Sequence, residues 1–142
     1  MGEPLAVYVH VPFCSSRCGY CDFNTYTATE LGSSVSRDDF HRLLIDEVRL
    51  ARRTLGPRDV TSVFFGGGTP TMLTPSALGA VLAEIDAQFG LVQGAEVTTE
   101  ANPDSVEESA LRALRAAGFT RVSFGMQSTA PHVLQVLDRT HT

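Results

Sequence analysis

The chain has 142 residues, of which 43% are hydrophobic and 19% charged, so we expect one domain with a buried core. Its net charge of -5, with only 11 Lys and Arg residues, argues against a general nucleic-acid binder. No apolar run approaches the ~20 residues that cross a bilayer, and the first residues lack the basic and apolar regions of a signal peptide. We therefore expect a cytoplasmic protein with reduced thiols and no transmembrane segment.

The first half of the chain alternates strand-like and helical runs. AVYVHV (6–11) predicts the first strand, and apolar residues at helical spacing from Phe40 to Leu55 predict the first helix, which Gly56-Pro57 ends. VTSVFF (60–65) predicts the second strand, stopped by three glycines. Thr74 followed by Pro75 predicts the cap of a second helix that closes at Gly90.

The second half continues the alternation. AEVTTE (95–100) predicts the third strand, Ser105 with Glu108 forms a capping-box pattern, and Gly118 ends the helix that follows. RVSFGM (121–126) predicts the fourth strand, with a short helix at about 131–137. This order predicts an α/β fold of about four βα units with a parallel sheet, either a small open sheet or part of a barrel. Because the final DRTHT contains no closing strand or cap, we expect part of a longer barrel-like domain.

An unusual segment follows each predicted strand. Three cysteines follow the first strand, GGGTPT (66–71) the second, TEANP (99–103) the third and GMQS (125–128) the fourth. Taken alone, the glycines could simply form a turn, and Glu100 could be a solvated or helix-capping carboxylate. In parallel α/β sheets, however, ligands bind at the carboxyl ends of the strands. The joint placement of the four segments therefore predicts one common pocket.

The three cysteines, Cys14, Cys18 and Cys21, are spaced as CxxxCxxC in CSSRCGYC. A structural zinc ion needs four protein ligands, so one of the histidines or a carboxylate would have to supply the fourth, because the chain has no second CxxC or HxxxH pair. A disulfide framework is disfavoured by the odd number of cysteines. Three thiolates can instead hold three irons of a 4Fe–4S cube and leave the fourth iron open to a small chelating molecule.

CSSRCGYC after a first strand resembles the signature of the radical S-adenosylmethionine (SAM) superfamily. More narrowly, YVHVPFCSSRCGYCDFNTY, FFGGGTPTML, TEANPDS and SFGMQS resemble, in order, the motifs of the oxygen-independent coproporphyrinogen III oxidase-like family. The resemblance implies that residues 1–142 are the N-terminal part of a radical SAM core domain. That domain is a partial (β/α)6 TIM-like barrel.

The resemblance also implies a role for the residues of each motif. It implies a 4Fe–4S cluster bound by Cys14, Cys18 and Cys21. The residues that would contact SAM are Tyr8, Tyr20, Gly67, Gly68, Thr69, Glu100, Gln127 and Arg139. Within this set, Tyr20 would pack on the adenine. Residues 67–69, the glycine segment, would meet the methionine moiety. An outside electron donor would drive one-electron cleavage of SAM to methionine and a 5′-deoxyadenosyl radical.

Phe23 bears on the choice between two functions. In the oxidase, which decarboxylates two propionates of coproporphyrinogen III, a further cysteine stands where this chain has Phe23. CDFNTY is typical of the HemW-like branch, which is associated with binding haem and delivering it to acceptor proteins. The resemblance therefore implies a haem chaperone, with haem and haem-accepting apoproteins as partners, and the oxidase is the alternative. Whether the chain is an enzyme stays open, and none of its four histidines lies in a haem-attachment motif such as CxxCH.

Overall fold

The computed structural model describes residues 2–14, 26–27, 37, 39–103 and 106–125. The helices and strands follow one another in an alternating α/β order. They are β1 (Leu5–Val11), β2 (Phe13–Cys14), β3 (Tyr26–Thr27), α1 (Phe40–Leu55), β4 (Val60–Gly67), a one-turn 3₁₀ helix (Pro70–Met72), α2 (Pro75–Gln88), β5 (Leu91–Ala101), α3 (Glu108–Ala117) and β6 (Arg121–Phe124).

The main sheet contains four parallel strands in the order β1-β4-β5-β6. Each strand therefore lies beside the strand of the preceding βα unit, and the order does not reverse. A progression in one direction is typical of a barrel wall, whereas a doubly wound sheet reverses at a switch point. The predicted α/β fold with a parallel sheet is confirmed. A separate parallel ladder of β2 and β3, with Cys14 opposite Thr27, was not predicted.

The two faces of the sheet differ in character because side chains alternate along each strand. One face packs against the helices and forms the buried core. Its strand residues include Val9, Val11, Val63, Phe65 and Val97, and the helices add Leu44, Leu78, Val81, Ile85 and Leu114. The opposite face carries Tyr8, His10, Phe64 and Glu100. One face of the sheet thus forms the hydrophobic core, and the other carries side chains that can contact a ligand.

Local sequence explains where most helices begin and end. The Thr74 hydroxyl accepts a hydrogen bond from the Ala77 amide at 3.1 Å, and Pro75 occupies the first helical position of α2, as predicted. Gly56 and Gly118 follow α1 and α3 with φ of 74° and 114°, in the region that favours glycine. In contrast, α3 begins at Glu108 with Glu107 as its cap residue, later than the capping-box pattern indicated. Ser105 of that pattern lies outside the described residues.

Strand limits and one helix face differ from the sequence expectation. Strand β4 does not stop before the glycines, because Gly66 and Gly67 pair with His10 and Val11 of β1. Strand β5 begins at Leu91, four residues earlier than predicted. Leu43 is one of the apolar residues whose spacing predicted a single apolar face for α1, yet it is 52% exposed. The short helix predicted at about 131–137 lies outside the described residues.

Helices α1 and α2 are joined by polar contacts at their solvent edge. Arg49 Nε donates to Glu84 Oε1 at 2.9 Å, and Arg52 Nε donates to the Gln88 carbonyl at 2.8 Å. Within the described ranges, no helix combines the length and the apolar character needed to cross a bilayer.

Candidate functional site

The candidate site lies at the carboxyl edge of the sheet, on the face opposite the helices. Six of the eleven residues predicted for it belong to the described part of the chain: Tyr8, Cys14, Gly67, Gly68, Thr69 and Glu100. The other five, Cys18, Tyr20, Cys21, Gln127 and Arg139, lie outside the described residues.

Tyr8 lies on β1, which is an edge strand of the sheet formed by the described residues, and is 58% exposed. Its ring stacks on Phe64 of the neighbouring strand, with centroids 6.2 Å apart, because the two residues are opposite each other in the ladder. Its hydroxyl is 3.1 Å from His10 Nδ1, two residues further along the same face. The stacking and the hydrogen bond together hold the phenol ring at the open edge of the site.

Glu100 reaches the same place from β5. A Cβ added to Gly66 would lie 2.6 Å from Glu100 Oε1 and 3.1 Å from Tyr8 Cε2, so glycine leaves room for both side chains. Burial raises the pKa of the Glu100 carboxyl. Burial also raises the pKa of the Tyr8 hydroxyl, with a further contribution from the charge of Glu100. The structure therefore brings together Tyr8 and Glu100, which lie far apart in the sequence.

Gly67 adopts a backbone conformation that other residues rarely adopt. Its φ is 111°, and a Cβ there would lie 2.8 Å from His10 Cε1 and 2.8 Å from the Val11 carbonyl oxygen. Glycine is therefore required both by the conformation and by the close approach of β1. Gly67 is partly exposed beside the His10 ring, so its backbone remains accessible to a ligand.

The chain after Gly67 stays bonded to the segment that enters the cysteine motif. The Gly68 amide donates to the Val11 carbonyl at 2.7 Å, and the Thr69 amide donates to the Phe13 carbonyl at 2.6 Å. Phe13 immediately precedes Cys14, whose backbone lies in β2. The glycine segment and the start of the cysteine motif are thus fixed against each other at the same end of the sheet.

Sequence reasoning assigned no individual role to three contributors to this site. Gly66 provides space for Glu100, and His10 contacts both Tyr8 and Gly67. Asn102 donates from Nδ2 to Thr69 Oγ1 at 3.0 Å and so joins the ends of β5 and β4. The two-residue period of a strand indicates that His10 shares the face of Tyr8. The position of Asn102 in TEANP predicted that it lies near the carboxyl edge of the sheet. Its hydrogen-bond partner, Thr69, is 33 positions away in the sequence.

The described residues fit the groups that the motif chemistry implies. A half-buried carboxylate, a phenol hydroxyl and a glycine backbone can together meet the amine, hydroxyl and carboxylate groups of a zwitterionic nucleoside. The backbone of Cys14, the first cysteine of CxxxCxxC, lies in β2, shortly after the carboxyl end of β1. In the part of the chain that the structure describes, no three His, Cys, Asp or Glu residues converge as a metal site. The other two cysteines of the motif lie beyond that part.

An apolar cleft of about 450 Å³ borders the site along β1. Its walls are strand residues, including Val7, Tyr8 and Val9, and residues of α1, including Phe40 and Leu44. The cleft therefore extends from the solvent-exposed side of Tyr8 to the contact between β1 and α1.

Comparison with known proteins identifies relatives for almost the whole chain. Residues 8–142 match the family model of the radical SAM superfamily. The chain is 50% identical over 141 residues to heme chaperone HemW of Mycobacterium tuberculosis, which covers 99% of this chain and 36% of that protein. It is 36% identical over 138 residues to heme chaperone HemW of Escherichia coli, with 97% of this chain and 36% of that protein covered.

A mitochondrial relative and a solved structure extend the comparison. Radical S-adenosyl methionine domain-containing protein 1 of Bos taurus is 44% identical over 137 residues, which are 96% of this chain and 30% of that protein. The solved structure of coproporphyrinogen III oxidase (HemN) from Escherichia coli, a radical SAM enzyme, superimposes with a TM-score of 0.83 and 29% identity. The match covers 98% of this chain and 31% of the oxidase. The chain thus spans about a third of the length of the curated relatives it matches.

Proposed function

Because the chain belongs to the radical SAM superfamily and, within it, to the HemW-like branch, we propose that it forms part of a haem chaperone that binds a 4Fe–4S cluster and SAM and delivers haem to acceptor proteins. The observation that carries the proposal is the 50% identity to a heme chaperone over 141 residues. Phe23 supports it, because the oxidase branch has a cysteine at that position. Residues 1–142 would be the N-terminal part of the radical SAM core domain.

The cluster-binding role is assigned to Cys14, Cys18 and Cys21. The superfamily uses a 4Fe–4S cluster and SAM as cofactors. When bound, the cluster would supply one electron at a time, from an outside electron donor. The three thiols must be reduced and deprotonated to hold iron, which suits the cytoplasm that we propose as the location.

The SAM-binding role is assigned to residues on both sides of the cysteine motif. The Glu100 carboxylate accepts hydrogen bonds from an amine or hydroxyl, and its half-buried position strengthens them because water competes less. Gly67, Gly68 and Thr69 offer backbone groups to the methionine moiety, and Tyr8 closes the edge of the site. Tyr20 would pack on the adenine, while Gln127 and Arg139, which follow β6 in the sequence, would add polar contacts.

Haem binding is the step that separates a chaperone from an enzyme of the same family. Haem would be the cargo of the protein, and its acceptors would be apoproteins that lack haem. The experiment is an anaerobic haem titration of the full protein, reconstituted with iron and sulfide. A saturable shift of the Soret band at about one haem per chain supports the proposal, and transfer of that haem to an apoprotein extends it. A linear, non-saturating absorbance contradicts the proposal.

The oxidase is the second candidate, and the structural match to coproporphyrinogen III oxidase favours it. Both functions use the same cluster and SAM residues, so the site described above does not separate them. The replacement of the additional cysteine by Phe23 argues against the oxidase. Incubation with coproporphyrinogen III, SAM and a reductant tests the alternative, because decarboxylation releases carbon dioxide and a chaperone produces none.

A further inference from the structure

We propose that Asn102 is a positioning residue for SAM, acting through the hydroxyl of Thr69. This inference rests on the proposed function, because it assumes that Gly67, Gly68 and Thr69 meet the methionine moiety. Asn102 itself is not assigned to the cofactor. Its role follows from the way in which it joins the ends of two strands beside the cysteine motif.

Thr69 is held from two sides. Its amide donates to the carbonyl of Phe13, the residue before Cys14, at 2.6 Å. Its hydroxyl oxygen accepts from Asn102 Nδ2 at 3.0 Å. Only 4% of Thr69 is exposed, so a change in either contact must be taken up by neighbouring protein groups and not by bulk water.

Asn102 fixes the direction in which the Thr69 hydroxyl can donate. An amide NH₂ group can only donate, so the Thr69 oxygen uses a lone pair for this bond and keeps its own hydrogen for another acceptor. The carboxylate of the methionine moiety is an acceptor of the required kind. Asn102 therefore sets the Thr69 hydroxyl as a donor toward the ligand.

Asn102 also connects this hydroxyl to the other proposed SAM contacts. It follows Ala101, the last residue of β5, and lies two positions after Glu100. Thr69 lies two positions after Gly67 in the segment bonded to β1. One side-chain bond thus fixes the β5 end, which carries Glu100, against the glycine segment. Loss of this bond should allow the two ligand-binding segments to separate while the cysteines keep their spacing.

The test uses the full protein, reconstituted anaerobically, with the variants Asn102→Ala and Asn102→Asp. Both remove the NH₂ donor, and the aspartate keeps the shape of the side chain but reverses the direction of the hydrogen bond. We expect the iron content to equal that of the unaltered protein and the dissociation constant for SAM to rise about five- to tenfold. The change that SAM causes in the EPR spectrum of the reduced cluster should saturate at correspondingly higher SAM concentrations.

Thr120→Val is the matched control. The Thr120 hydroxyl also makes a hydrogen bond between a loop and a strand, accepting from the Val97 amide at 2.9 Å, but it lies just before the start of β6 and not at the carboxyl edge that carries the site. It should lower thermal stability and leave SAM affinity unchanged. Thr69→Val should weaken SAM binding by itself, and adding Asn102→Ala should weaken it little further, because both changes remove the same interaction.

Three results would overturn the assignment. One is unaltered SAM affinity in both Asn102 variants, and a second is an equal loss of affinity in Thr120→Val. The third is loss of iron in the Asn102 variants, which would place the role of Asn102 at the cluster. If the unaltered protein holds iron and SAM while the variants behave in one of these ways, only this inference fails. If the unaltered protein binds neither, the proposed function fails and this inference fails with it.

Discussion

The Glu100 carboxylate lies against the backbone of Gly66, at a position where an added Cβ would come within 2.6 Å of Oε1. A charged group at this place is only partly hydrated, and burial raises the pKa of the Glu100 carboxyl. The site therefore contains a carboxylate that can bind a ligand but that lowers the stability of the ligand-free protein. This conflict between binding and stability leads to the first prediction.

Glu100→Gln should stabilise the ligand-free protein at neutral pH and weaken SAM binding. A carboxyl group whose pKa is raised in the folded state binds its proton more tightly there than in the unfolded chain. The stabilisation that the protonated carboxyl gives to the folded state is therefore complete below the pKa of the unfolded chain, near 4.3. This stabilisation is lost as pH rises through the pKa of the folded state. We expect the variant to gain stability in urea unfolding at pH 7, with the difference shrinking toward pH 4, and to lose at least about tenfold in SAM affinity.

Glu96→Gln provides the control for this prediction. Glu96 lies on the same strand and face, but its side chain is 62% exposed and its Arg121 partner is 3.8 Å away. An exposed ion pair of this kind contributes little to stability. The substitution should leave stability at pH 7 and SAM affinity nearly unchanged. Lower stability of Glu100→Gln than of the unaltered protein at pH 7 would contradict the reasoning.

The sequence predicted the helix-covered half of the fold well because local signals and packing agree there. Thr74 followed by Pro75 indicated the start of α2, and the structure adds the hydrogen bond to Ala77 that explains it. Helices α1 and α3 end just before glycines with positive φ, as the positions of these glycines in the sequence indicated. These features depend on a few neighbouring residues and can be read without knowledge of the rest of the chain.

The polar face was harder to predict because its contacts join distant parts of the chain. Gly66 and Gly67 were expected to stop β4, yet they continue the ladder with β1, since a glycine backbone still donates and accepts hydrogen bonds. The bond from Asn102 to Thr69 depends on the register between β4 and β5 and on two side-chain conformations. Motif resemblance placed Tyr8 and Glu100 in one site, but the space that Gly66 leaves for Glu100 became visible only in three dimensions.

Gly67→Ala and Gly94→Ala form a matched pair for the second prediction. Both glycines have positive φ, 111° and 78°, so alanine is strained at either position. Only Gly67 is crowded, by the His10 ring and the Val11 carbonyl at 2.8 Å, whereas nothing lies within 4 Å of a Cβ at Gly94. We expect Gly94→Ala to lower the free energy of unfolding by about 1 kcal/mol, with little change in SAM affinity.

Gly67→Ala should lower the free energy of unfolding by about 1–3 kcal/mol more, because the added methyl group displaces His10 or β1. It should also weaken SAM binding, since the same shift moves the backbone that we assign to the methionine moiety. Urea unfolding and equilibrium dialysis with labelled SAM measure the two effects. Equal losses of stability in the two variants would indicate that the crowding around Gly67 is relieved without strain.

The third prediction concerns the contact between α1 and α2. The hydrogen bond from Arg49 holds the pKa of the Glu84 carboxyl below its usual range. A lowered pKa stabilises the fold above the unfolded pKa, and the effect is lost as pH falls through the folded value. Arg49→Ala should therefore lower the melting temperature slightly at pH 7 and less at pH 4. Arg53→Ala, at another exposed arginine of α1, is the control, and an equal change in both variants at pH 7 would contradict a specific role of Arg49.

Iron content tests the assignment of the cysteines most directly. Three thiolates that hold a 4Fe–4S cluster should give about four irons per chain after anaerobic reconstitution. Cys18→Ser removes one of these ligands and should lower the iron content severalfold, with loss of the cluster absorbance. Ser16→Ala, within the same CxxxC segment, changes a residue of similar size without removing a thiol and should retain the iron. Unchanged iron in Cys18→Ser, or a single tetrahedral zinc ion bound by the three cysteines, would exclude the cluster and with it the SAM site proposed around Tyr8 and Glu100.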